Sequence, residues 1–409
     1  LRKCVPHCCQ EQVSNSRIDA LAMIGDLAAL TSDVDPEKYA HYMNALNDLG
    51  LAAMRDAFTE LGISATAPID HISELAARAG VLPRYHRLMR RWAVHLHDYS
   101  ELSSLPAQQV SLQKARTLGA MVGEPEALIA YFGDSARSLV DQLTGKGDPL
   151  DILFPGGDSK VSSSLYEETL FNKWANAVAG LVLRHLLQRD YPEQPATILE
   201  VGAGSGGTSA WLLPELRAGD HFLYTDISPF FLQQGSERFQ DVEHVTFKTL
   251  DLNKDFGPQG INPNTIDVVI AGDVIHATTD VDATLKRLRE ALRPGGHLVL
   301  IEMTRDHPQI MSSLELLLEI GGDSEDFTDL REGGTDTFLA GDIWDQLMGD
   351  VGGRQEAEIG SSIPLIQQTG IQVRTYVFKE GVESVHEDAL ASTLRARLPE
   401  YMMPHVIWV

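Results

Sequence analysis

Two side chains in this sequence could move a proton. His276 lies in Gly272-Asp-Val-Ile-His-Ala277, just after an apolar run, and Glu302 ends the run His297-Leu-Val-Leu-Ile-Glu302. Short apolar runs of this kind form buried parallel strands, and adjacent strand ends of one sheet bring such groups within hydrogen-bond reach. A carboxylate that holds an imidazole orients it and raises its basicity, so the pair reads as a general base. Taken singly, a histidine after a strand is as often a capping residue, and an acid at a strand end is as often solvated. Their paired positions carry the reading.

A second group of residues could hold a ligand. Thr197-Ile-Leu-Glu-Val-Gly-Ala-Gly-Ser-Gly-Gly-Thr208 is an apolar run that breaks into glycines and leads into Ser209-Ala-Trp-Leu-Leu-Pro-Glu-Leu216. Strand, tight turn and helix follow from that pattern, and the glycines admit a ligand where a Cβ would intrude. The next strand, His221-Phe-Leu-Tyr-Thr-Asp226, ends in an acid placed to accept ribose hydroxyls. A dinucleotide site would share that acid, and a purely structural turn would share the glycines. Three features tilt the choice. The turn is Gly-Ala-Gly-Ser-Gly-Gly instead of Gly-x-Gly-x-x-Gly; Asp251-Leu252 follows a third strand, Val245-Thr-Phe-Lys-Thr249; and Gly272-Asp273 follows a fourth.

Together these resemble the S-adenosylmethionine pocket of class I methyltransferases. The resemblance implies S-adenosylmethionine as cofactor, with Glu200, Gly202, Ala203 and Gly204 at its methionine end. It also implies Asp226 on the ribose, Asp251 and Leu252 around the adenine, and Asp273 in the same cofactor set.

The elements that must position these groups alternate along the chain. Helical periodicity is expected at 171–187, 209–216, 230–239 and 280–292, with strands at 197–201, 221–226, 245–249, 265–270 and 297–302. A closing helix at 358–368 and a last strand at 371–379 complete the pattern. Such alternation predicts an α/β fold: a Rossmann-like, doubly wound parallel sheet with its ligands at the carboxyl edge. Residues 304–337, rich in glycine and acids, read as a mobile cover over the substrate. Before the sheet, helices are expected at 37–49, 52–61, 71–79 and 83–96, with Asp70 capping the third, forming an N-terminal helical lid subdomain. Within it Arg84, Arg87 and Arg91 share a helical face beside His86 and Arg90; the face could receive a phosphate or an acidic partner, though a solvated surface is the plainer reading.

The run Asp148-Pro-Leu-Asp-Ile-Leu-Phe-Pro-Gly-Gly157, then Leu165-Tyr-Glu-Glu-Thr-Leu-Phe-Asn-Lys-Trp174, then the glycine strand, resembles the methyltransferase domain of polyketide synthases and mixed peptide-polyketide assembly lines over about 125–379. Carbon-methylating domains of that family carry a His-Glu pair, matched here by His276 and Glu302, and a tyrosine matched by Tyr166 that covers cofactor or substrate. The family's tryptophan-rich segment is replaced by Leu316-Leu-Leu-Glu-Ile-Gly-Gly322, a departure that bears on the substrate and not on the cofactor. Near the end, Leu398-Pro-Glu-Tyr-Met-Met-Pro404 resembles the small carboxy-terminal subdomain of peptide-synthetase adenylation domains.

The implied organisation is an adenylation-domain flank at 1–15, a helical lid at 16–150, a cofactor-binding core at 151–381 and an adenylation fragment at 382–409. It implies a methyltransferase domain inserted in a host adenylation domain of a nonribosomal peptide synthetase. The expected substrate is an aminoacyl or thiazoline/oxazoline-type intermediate on a phosphopantetheinylated carrier protein. Carbon methylation is preferred to nitrogen methylation; an α-carbon epimerase and a degenerate docking module are the competing readings.

Composition narrows the field further. The 33 basic and 58 acidic residues leave a net charge of −25, which repels phosphate backbones and argues against nucleic-acid partners. No run suits a membrane span and the first residues lack a signal-peptide core, so a cytoplasmic protein is expected. Cys4, Cys8 and Cys9 crowd beside His7 without the spacing of a zinc site, and read as reduced thiols.

Overall fold

The computed structural model describes residues 33–99, 104–158, 160–318, 327–333 and 337–379. The cysteines, the adenylation-like tail and part of the 304–337 stretch lie outside them.

One seven-stranded sheet organises the chain. Its strands are β1 (Thr197–Val201), β2 (His221–Asp226), β3 (Val245–Thr249), β4 (Ile266–Gly272), β5 (Leu292–Met303), β6 (Arg354–Ile359) and β7 (Ile371–Phe378), in the order β3-β2-β1-β4-β5-β7-β6. The first five pair in parallel, whereas β7 runs antiparallel to both β5 and β6. This is the mixed sheet of the class I methyltransferase fold. Strand order reverses at β1, so the crevice outside the carboxyl tips of β1 and β4 is where a ligand is expected.

Strand alternation sends side chains to two cores. Ile198, Val268 and Ile270 pack with Trp174, Val178, Val182 and Leu186 of the helix Leu170–Asp190. Leu199, Val201, Val269 and Ala271 face the other way, onto the helices Val281–Ala291 and Gly341–Asp350. Burial on both faces is why these strands are continuously apolar.

A third core belongs to the helices that precede the sheet, which include Pro36–Glu60, Ile69–Arg78, His86–Asp98 and Gln108–Val122. The first runs unbroken through Gly50, where the sequence suggests two helices. A Cβ on Gly50 would lie 2.4 Å from the Pro308 carbonyl, so the glycine buys close approach of another segment and not a helix break. Asp70 sits inside the first turn of its helix and is not the cap. The expected helix at 358–368 is instead the edge strand β6 followed by Pro364–Gln367, because β7 offers a free antiparallel edge.

Residues 304–318 are not a loose cover. They form the short helices Pro308–Met311 and Glu315–Leu318, whose Met311 and Leu316 are buried in the helical core. Arg91 is wholly buried, paired with Asp306 at 2.7 Å and with Glu315. The solvated-face reading of the basic helix therefore fails at Arg91, which ties the helical layer to the segment leaving β5.

Glu124 is buried at the start of the long helix, where its Oε1 accepts from the Leu170 amide at 3.2 Å. Burial pushes its carboxyl up to about 7. A raised carboxyl costs folding stability as pH climbs from the unfolded value through 7, because the unfolded chain releases the proton first. Glu124→Gln keeps an acceptor for Leu170 and removes that cost. It is expected to raise stability at pH 8 by up to about 3 kcal/mol, with little gain at pH 4.5, in paired denaturant titrations. An equal gain at both pH values would show that packing, not charge, is responsible.

Candidate active site

His276 sits in the 3₁₀ turn Ile275–Ala277 that follows β4, and Glu302 lies one residue before the end of the adjacent β5. Pairing of Gly272 with Ile301 sets the register that brings them together. Glu302 Oε2 is 2.7 Å from His276 Nδ1, while Oε1 accepts from the backbone amides of Ile275 at 2.8 Å and His276 at 3.2 Å. The carboxylate thus holds both the ring and the turn that carries it. Nδ1 donates to it, which leaves Nε2, free of hydrogen bonds among the described residues, as the atom able to take a proton.

The turn is built under constraint. Asp273 adopts a left-handed φ of 51°, uncommon for a residue with a Cβ, and its amide donates to Ile301 O at 2.7 Å. Arg331, fully buried, donates to the carbonyls of His276 at 2.6 Å and Thr278 at 2.7 Å while paired with Asp329. Its guanidinium stacks 3.5 Å from the Phe327 ring, and Phe338 packs 4.7 Å from the imidazole. Arg331 is a positioning residue that the sequence did not mark, since it falls within the stretch expected to be mobile.

Burial alone would lower the His276 pKa. The charge of Glu302, its hydrogen bond and the charge of Asp273 outweigh that and push the imidazole up to about 9, with Arg331 opposing. Burial likewise pushes the Asp273 carboxyl up to about 6. Asp273, His276 and Glu302 bring three possible ligand atoms within 4.8 Å of one another. Two of these atoms, His276 Nδ1 and Glu302 Oε2, are joined directly by the 2.7 Å hydrogen bond.

Asp273 and His276 face one cavity of about 1120 Å³, at the carboxyl edge of β1, β2 and β4, and Glu302 lies buried behind them. Gly202, Ala203, Gly204, Asp226, Asp251, Leu252, Asp273, His276 and Tyr166 all line it. Gly202 and Gly204 have φ of 63° and 56°; a Cβ on Gly202 would strike Val274, whereas one on Gly204 would meet no protein atom closer than 4.0 Å and project into open space. Asp226 accepts from the Gly204 amide at 2.9 Å and from Ser228 at 2.7 Å. Tyr224 donates to Gly204 O at 2.6 Å, so the loop is clamped from below. Tyr166 lies on a π-turn, Ser164–Glu168, a form that recurs at functional sites. Its carbonyl accepts from Asn176, which also takes the Thr208 hydroxyl, so helix and glycine loop are joined there.

Glu200 is placed differently from the expectation. It does not line the cavity; it is buried beneath the loop, accepts from the Ser209 hydroxyl and is pushed up to about 8 by burial. Glu200 is the next-to-last residue of β1, and through Ser209 it supports the helix that follows the loop. Asn176 lines the cavity and was not singled out from sequence, although a lone amide in Trp174-Ala-Asn-Ala-Val-Ala-Gly180 is a readable signal.

The glycine cradle open above Gly204, the acid at the tip of β2 and the switch point between β1 and β4 fit S-adenosylmethionine. The fold and site define a class I, S-adenosylmethionine-dependent methyltransferase domain. Residues 199–298 match the family described as methyltransferase domain. The chain is 29% identical to pyochelin synthetase PchF of Pseudomonas aeruginosa over 395 residues, 90% of this chain and 21% of that protein. It is 38% identical to highly reducing polyketide synthase 2 of Gibberella zeae over 181 residues, 41% of this chain and 7% of that one. Among solved structures it resembles the CurJ carbon methyltransferase, with a TM-score of 0.76, 24% identity, and 88% and 98% of the two chains covered. It also resembles the trans-methyltransferase CalH complexed with SAH, with a TM-score of 0.59, 21% identity, and 83% and 90% covered. The chain is thus similar to parts of polyketide and nonribosomal peptide synthetases, and it spans about a fifth of the length of pyochelin synthetase. Among the described residues no helix is long and apolar enough to cross a membrane.

Proposed function

We propose that this domain methylates an acidic carbon of a thioester intermediate delivered on a phosphopantetheine arm, with His276 as general base and Glu302 as the group that orients it. One observation carries the reading: the His276 Nδ1–Glu302 Oε2 bond of 2.7 Å, with the imidazole facing the same cavity as the glycine cradle and Asp226.

When bound, S-adenosylmethionine supplies an electrophilic methyl group on a sulfonium. Asp226 would hold its ribose, Asp251 and Leu252 its adenine, and Gly202, Ala203 and Gly204 its methionine end, with Glu200 keeping the loop in place through Ser209. Asp273, 3.7 Å from His276 Nδ1, and Tyr166 line the same cavity and would border the bound cofactor. His276 Nε2 takes the proton from the carbon as the new bond forms, and Nδ1–H keeps its hydrogen bond to Glu302 throughout.

An imidazole pushed up to about 9 is a stronger base than an ordinary histidine, which suits a carbon flanked by a thioester and a carbonyl or imine. This supports carbon over nitrogen methylation. The proposed insertion in an adenylation domain, with boundaries at about 15, 150 and 381, rests on the run Leu398-Pro-Glu-Tyr-Met-Met-Pro404 and its resemblance to the small carboxy-terminal subdomain of adenylation domains.

The test is incubation with methyl-labelled S-adenosylmethionine and an α-deuterated acyl-pantetheine thioester. Methyl incorporation with loss of one deuteron is expected, unaffected by a chelator. Deuteron loss without methyl incorporation would make the protein an epimerase and overturn the reading. Asp226→Asn, which removes the charge that fits two ribose hydroxyls, is expected to weaken S-adenosylhomocysteine binding by about 10–100-fold in calorimetric titration. Unchanged affinity would remove Asp226 from the cofactor site.

A further inference from the structure

Two parts of the fold line the cavity with side chains of opposite charge. The sheet edge contributes Asp226, Asp251 and Asp273, whereas the helical layer contributes Arg84, His86, Arg87 and Arg90. In a chain with 25 more acids than bases, arginines without carboxylate partners need a reason. Arg91, the next residue on that helix, shows the ordinary solution, buried between Asp306 and Glu315. Arg87 is also engaged, donating to the Thr337 hydroxyl at 3.4 Å and stacking 4.2 Å from Phe327.

Arg84 and Arg90 differ. Both are half-buried cavity residues, and neither has an ion pair among the described residues. Arg84 stacks 4.9 Å from the Tyr85 ring, and its buried Nε has no hydrogen-bond partner among the described residues. A guanidinium donor without an acceptor costs free energy unless a ligand supplies one, and planar forks suit tetrahedral oxyanions. The anion expected must reach the helical layer's part of the lining and be joined to a group that reaches His276, which lines the same cavity.

We propose that Arg84 and Arg90 form a phosphate seat that holds the phosphopantetheine phosphate and fixes how far the thioester extends toward His276. The seat rests on the carrier-bound reading above and specifies which part of the arm the protein grips. It also explains why a strongly acidic chain keeps this one basic wall: it draws in the anionic arm while the acids on the sheet edge favour a cation.

The experiment compares 4′-phosphopantetheine with pantetheine, titrated calorimetrically into the full chain saturated with S-adenosylhomocysteine at low salt. The phosphorylated compound is expected to bind about tenfold tighter, with inorganic phosphate competing for the difference. The double variant Arg84→Gln/Arg90→Gln is expected to erase the preference, while its S-adenosylhomocysteine affinity reports that it is folded. Equal binding of the two compounds, or a preference that survives in the variant, overturns the seat. So does a parallel loss of S-adenosylhomocysteine affinity in a variant with unchanged thermal stability, since the arginines would then be serving the cofactor's carboxylate. Because the readout is binding, a phosphate preference without methyl incorporation would sink the methylation reading alone, and methylation without the preference would sink the seat alone.

Discussion

Replacing His276 with alanine is expected to lower methyl transfer by on the order of 10²–10⁴-fold while leaving S-adenosylhomocysteine affinity within about twofold. The ring faces the cavity and, among the described residues, its side-chain hydrogen bond is to Glu302, so truncation removes the proton acceptor without touching the glycine loop or Asp226. In the intact protein the imidazole must be neutral to act. With its pKa pushed up to about 9, kcat/KM should rise with pH through about 9 and fall tenfold per unit below it. A cation bound in the same cavity disfavours imidazolium, so the limb in kcat should lie at lower pH than the limb in kcat/KM. The sign for folding is opposite: stability from this ion pair is fully present below the unfolded value of 6.5 and is lost as pH rises through about 9. A variant that turns over at the wild-type rate would remove His276 from the chemistry.

Changing Glu302 to glutamine should cost nearly as much, for a different reason. The carboxylate Oε1 is held by the amides of Ile275 and His276, and the amide oxygen of glutamine would take that place. Its NH2 group would then face Nδ1, which must become an acceptor, forcing the imidazole proton onto Nε2. The ring would be neutral, correctly placed and unable to accept a proton. A loss on the order of 10³–10⁴-fold in kcat is expected, with thermal stability little changed. NMR of a histidine-labelled sample should report the switched tautomer. Retention of the wild-type tautomer together with lost activity would mean that Glu302 acts through charge and not through proton placement.

Much of this was legible because local pattern and ligand chemistry coincide at the sheet. β1 and β2 run over the residues expected, since apolar runs ending in Gly202 and Asp226 have no other good solution. Gly50 and β6 were misread because each answers to a distant partner, the Pro308 carbonyl in one case and the free edge of β7 in the other. Glu200 stands in the expected strand but is buried and bonded to Ser209 instead of lining the cavity, because spacing along a strand does not say what the following turn covers.

From sequence alone came the parallel sheet, the glycine cradle with its acids, and the pairing of His276 with Glu302, all set by spacing within short segments whose geometry is nearly rigid. Only the tertiary structure showed that Arg331 pins the turn that carries His276, that Arg91 is buried and that Arg84 and Arg90 line one cavity with Asp226, Asp251 and Asp273. Those contacts join residues far apart in the chain, and which side chains meet there depends on how the helical layer packs against the sheet edge, which no local periodicity encodes.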